Sequence, residues 1–73
     1  MSGYDEYKAE KQLDYMKSCV DALSDNLNML SREDAEDWRL NIQDICEKTK
    51  NPSLQQTGEE VIVKLNQYFP PSS

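Results

Sequence analysis

Glu33, Asp34, Glu36 and Asp37 crowd one short run of the chain, and Cys19 and Cys46 add two thiols. Paired carboxylates can work as general acid and base or hold a cation, and a thiolate can act as a nucleophile. Each of these chemistries lacks a component here. Helical metal sites usually combine inward glutamates with histidines, and the chain has no histidine. Asp21-Ala22-Leu23-Ser24-Asp25-Asn26 has the acids of a calcium loop without its glycine or its distal glutamate. The two glycines sit in no pattern that could cradle a phosphate. Cys19 has Asp14 and Asp21 near it, and Cys46 has Asp44 and Glu47, so acidic surroundings should keep both thiols protonated. Asp21 and Asp25 are i,i+4 neighbours on a polar face. A chain of 73 residues also has little room for a substrate pocket beside its core. The expectation is a protein without catalytic, cofactor-binding or metal-binding residues.

A local cause accounts for much of the acidic run. Ser31-Arg32-Glu33-Asp34 has the spacing of a capping box, with a carboxylate three residues past the cap. The four acids then fall in the first two turns of a helix and Lys48 and Lys50 in the last, each sign where the helix dipole favours it. Ala35, Trp38, Ile42, Ile45 and Thr49 repeat at alternating steps of three and four, which places Trp38 on a buried seam. This predicts a helix over 32–50, closed by Asn51-Pro52.

Upstream, Ala9, Leu13, Met16, Val20, Leu23, Leu27 and Leu30 keep a heptad spacing, predicting a first helix over 5–30. Its flanking positions carry no ladder of opposite charges, so packing on an antiparallel neighbour fits better than a parallel zipper. Ser53 with Gln56, or Thr57 with Glu60, could open a third helix, starting at 54 or 58 and ending near 69 before Pro70-Pro71. Residues 1–3 and 70–73 read as flexible ends. The fold class expected is all-α: one small domain, a three-helix bundle or a helical hairpin with a short third helix, up-down-up, either closed by itself or completed by oligomerisation. About 60% of the unfolded surface is buried in a chain this small, so help from another chain would matter.

Two features point to a protein partner. A first helix reaching residue 30 would outrun the second and leave Tyr4 and Tyr7 protruding. Tyr4, Tyr15, Ala22 and Met29 would share a second apolar stripe, far around the helix from the heptad seam. That stripe must be covered by the third helix or by another chain. Tyr4, Tyr7, Tyr15 and Met29 are therefore the candidate partner contacts, and a homodimer is one way to use them.

A net charge of −6 argues against direct contact with nucleic acid or an anionic membrane surface and suits a basic protein. The longest aliphatic run, Val61-Ile62-Val63, is far too short to span a bilayer, and the start of the chain does not resemble an export signal. A cytoplasmic location is expected, with both cysteines reduced. Folding back at Ser31 would put Cys19 and Cys46 at similar heights, so a disulfide is conceivable in an oxidising compartment. The function expected is protein–protein interaction by helix-on-helix packing along the first helix, as an adaptor, small chaperone or regulatory subunit. One alternative is an acidic antagonist of a basic nucleic-acid-binding surface, using Asp21, Asp25, Glu33, Asp34, Glu36 and Asp37. The other is a self-assembling structural subunit.

Overall fold

The computed structural model describes residues 5–71. It is all-α: α1 spans Glu6–Ala22, α2 Arg32–Lys48 and α3 Pro52–Tyr68, with a short 3-10 turn at Leu27–Met29. Ion pairs Lys17–Glu60 (3.6 Å) and Asp21–Lys64 (2.5 Å) keep one constant offset, so α1 and α3 run parallel. Contacts of Cys46 with Gln55 and of Arg39 with Asn66 run the opposite way, which makes α2 antiparallel to α3. The result is an up-down-up bundle in which α3 packs closely on both other helices.

The heptad seam forms the core as far as it stays helical. Ala9, Leu13, Met16, Val20 and Leu23 are buried with Ile42, Ile45, Leu54, Val61 and Leu65. α1 then stops at Ala22, well short of residue 30. The cause is a run of side chains that compete for backbone bonds. Ser24 Oγ donates to the Asp21 carbonyl at 3.1 Å, and Asn26 Oδ1 accepts from the Asn28 amide at 3.0 Å. Leu27, expected on the seam, is consequently 55% exposed. Leu30 returns to the core as the residue before the Ser31 cap, with Ala35 also buried at the staple position.

α2 begins as its capping box requires, with the Asp34 amide donating to Ser31 Oγ at 3.1 Å. It ends at Lys48 with the buried Thr49 as its cap, two residues earlier than expected. α3 starts at neither expected site. Asn51 is its N-cap, accepting from the Ser53 amide at 2.9 Å, and Pro52 holds the first helical position, where its fixed φ and missing N–H cost nothing. Asn51-Pro52 thus opens α3 in addition to closing α2. Asn51→Ala should lower unfolding free energy by about 1 kcal/mol, read by urea titration.

The helix ends meet one another. Gln55 Nε2 donates to the carbonyls of Cys46 (3.1 Å) and Thr49 (3.2 Å), satisfying the open end of α2. Arg39 donates to Asn66 Oδ1 at 2.9 Å and to the Phe69 carbonyl, and Arg32 donates to the Pro70 carbonyl at 3.2 Å. Two arginines of α2 therefore hold the C-terminal end of α3, and Pro70, expected in a loose tail, is tied down. The expected flexible residues 1–3, 72 and 73 lie outside the described residues, as does Tyr4. Among the described residues no helix is long and apolar enough to cross a membrane.

Candidate interaction surface

All three helices have 17 residues, roughly 26 Å each, so α1 does not outrun α2 as expected. The second stripe of α1 is nevertheless open. Lys17 and Asp21 place α3 against one flank of α1, and Tyr15 lies on the other flank, beside α2. Covering of this stripe by α3 is ruled out by that placement. Tyr15 is 65% exposed, and Tyr7, two turns earlier, is 69% exposed. Met29 is 49% exposed but sits in the 3-10 turn, so the break at Ser24-Asp25-Asn26 removes it from the α1 stripe.

Tyr15 meets Trp38 of α2, ring centroids 6.4 Å apart and planes tilted by 58°, a favourable edge-to-face type of pairing. Trp38 is only half-buried: one side packs on the core and the other borders Tyr15. Its expected place on the seam is met in part. Cys19 and Ala22, both half-buried, continue this face toward the end of α1. Hydrogen bonding with the Cys19 thiol, and then its charge, raises the Tyr15 hydroxyl above its ordinary pKa, so the ring is neutral at physiological pH. At the opposite end Lys11 Nζ stands 5.4 Å over the Tyr7 ring, a cation–π contact.

The cysteines are free and face different neighbours. Ala9 and Gln12 of α1 and Asn41 and Ile45 of α2 line one cleft, and Tyr15 meets Trp38, which together set the α1–α2 register. In that register Cys19 and Cys46 are about a dozen residues out of level, roughly 17 Å along the axes. The similar heights expected from a sharp turn at Ser31 do not occur, because residues 23–31 leave the helix, and an intramolecular disulfide has no geometry. Burial, and next the charge of Glu59, raises the Cys46 thiol, which stays protonated at neutral pH.

The expected acidic residues separate into two groups. Asp21 is engaged by Lys64, whose pKa it raises, first by hydrogen bonding and then by charge. Asp25 is exposed in the turn after α1, and Glu33, Asp34, Glu36 and Asp37 are exposed at the start of α2 with no ion pair among the described residues. No group of three or more metal-ligating side chains occurs among the described residues. One concavity, about 390 Å³, is lined by Gln56, Glu59, Glu60, Val63, Lys64 and Gln67, all on α3, so no second element walls it. Sequence reasoning missed Leu40 and Val63, exposed apolar residues off the buried seams of α2 and α3. Their departure from the three-four spacing was the available signal. No protein-family model, curated protein or solved structure matches this chain.

Proposed function

We propose that this chain is a non-enzymatic protein–protein interaction module of the cytoplasm, an adaptor, small chaperone or regulatory subunit that binds by helix packing against α1 and the adjoining side of α2. One observation carries the reading: Tyr15 is 65% exposed while paired with the half-buried Trp38, although the core beneath is closed by other residues. Two aromatic rings held in a fixed arrangement at the surface lose little entropy on binding and offer both apolar area and polar edges. Tyr7 extends the face along α1, and Met29 and Leu27 supply exposed apolar side chains in the connection to α2.

The test is co-purification from the cells that make the protein, comparing wild type with Tyr15→Glu/Met29→Glu. The variant should keep its helicity by circular dichroism and lose its partner. A folded variant that retains the partner would sink the proposal. A second reading, the acidic antagonist, rests on Glu33, Asp34, Glu36 and Asp37, which are exposed and unpaired among the described residues. It predicts binding that collapses with added salt, whereas packing on the aromatic face should resist it.

A further inference from the structure

The reading above leaves the partner of the α1–α2 face open, and the charge on that face is graded so that it complements its own rotated image. On α1, Tyr7, Lys11, Tyr15, Ser18 and Ala22 fall within about 80° of one another. Along this stripe the side chains run from large to small, with Tyr15 near the middle of the helix. On the adjoining side of α2, Asp34, Asp37, Trp38 and Asn41 share a sector of about 100°. Charge is graded along the same direction. At the end carrying the start of α1, Lys8, Lys11 and Lys48 outnumber Asp5 and Asp44 by one, and Asp44 is already paired with Lys48 at 3.2 Å. At the other end α2 contributes the exposed Asp34 and Asp37, and the α1 stripe contributes the uncharged Ser18 and Ala22.

Resting on the reading of this face as a protein-binding surface, we propose that its occupant is a second copy of the chain, related by a two-fold axis passing beside Tyr15 and Trp38. Such an axis is isologous, so each end of the face meets the opposite end of the other copy. Lys11 lies about 6 Å below Tyr15 along the axis and Asp34 about 6 Å above Trp38, so the rotation brings them level. Tyr7, about 12 Å below, comes to the height of Ala22, about 10 Å above, but on the α2 side of the face. A uniformly basic partner would face Lys8 and Lys11. The outer side of α2, with Glu33, Glu36 and Glu47, would oppose like charges across any dyad. Lys8, Lys11 and Lys48 against Asp5, Asp34, Asp37 and Asp44 leave the α1–α2 face with a net −1 of the chain's −6, so two copies meet there with little net repulsion.

The experiment is solution mass by light scattering on a sizing column, from low micromolar to millimolar protein with reductant present. The mass should rise from 8.5 kDa toward twice that value. Lys8→Glu/Lys11→Glu and Asp34→Lys/Asp37→Lys should each weaken dimerisation by at least about tenfold. The quadruple swap, again at −6, should restore it to within about threefold of wild type. The second pair decides against a mere net-charge effect: it lowers the magnitude of the charge from −6 to −2, which by overall repulsion alone would strengthen association. A wild type that stays monomeric at millimolar concentration, or an Asp34→Lys/Asp37→Lys variant that dimerises as well as wild type, overturns the proposal. If Tyr15→Glu stays folded in that event, the binding-face reading survives. If Tyr15→Glu unfolds, both fail.

Discussion

Leu13→Ala should lower the unfolding free energy by about 3 kcal/mol and the melting temperature by roughly 12–24 °C, while Leu27→Ala should change either very little. Both leucines occupy the same heptad register in the sequence. Leu13 is fully buried at the centre of α1, and Leu27 is 55% exposed beyond the end of that helix. Truncating Leu13 removes transfer free energy and leaves a cavity in the buried core. A chain of 73 residues has a total stability on the order of 4–11 kcal/mol, so this loss approaches the whole at the low end. Urea titration of the two variants at one concentration checks both halves. Equal effects would mean that the helix continues through Asn26.

The second large effect is expected at Gly58, on α3 where it crosses α2. A Cβ at this position would stand 2.7 Å from Cys46 Sγ and 2.9 Å from Ile42 Cγ2, both inside ordinary contact distance. Ile42 is fully buried and cannot yield without disturbing the core. Glycine inside a helix costs about 1 kcal/mol relative to alanine, and the close approach of α3 to α2 is what that cost secures. Gly58→Val adds three carbons in this space and should destabilise by about 3 kcal/mol, with Gly58→Ala milder because its helix propensity offsets part of the strain. Adding Cys46→Ala removes the nearest obstructing atom. Gly58→Ala should then cost about 1 kcal/mol less than it does with Cys46 present, a coupling that a double-mutant cycle measures. Purely additive losses would mean that the two positions do not touch.

These two sites mark how far the sequence could be read. The three-four spacing of Ala9 to Leu23 and of Ala35 to Thr49 located the core faces of α1 and α2, because burial alone dictates that spacing. Ser31 announced its helix because capping is a local, one-turn interaction. The heptad pattern overran at Leu27, where the side chains of Ser24 and Asn26 bond nearby backbone groups in competition with the helix. That signal was present and was outvoted by periodicity. The role of Asn51-Pro52 as an opening for α3 was legible in the same way, as a cap followed by proline. Gly58 and the Arg39–Phe69 contact were not legible, since both depend on how two helices cross.

The open face followed a similar division. Tyr15 was identified from its place on the second stripe and Tyr7 from an overhang of α1 that does not occur, yet both are exposed on the surface. The partner of Tyr15 within the chain, Trp38, was not foreseen. It depends on the α1–α2 register, which residues 23–31 set by leaving the helix. The same shift separates Cys19 from Cys46.

The central claim is that α1 closes its own core with one side and keeps the other for another protein. The most direct measurement is thermal unfolding of Tyr15→Glu beside Leu13→Ala, two positions apart on one helix, by circular dichroism at low protein concentration. Tyr15→Glu should retain wild-type helicity and melt within about 5 °C of wild type, losing only its contact with Trp38, while Leu13→Ala falls far below. Loss of helicity in Tyr15→Glu comparable to that of Leu13→Ala would make the aromatic face part of the core, and the claim would be contradicted.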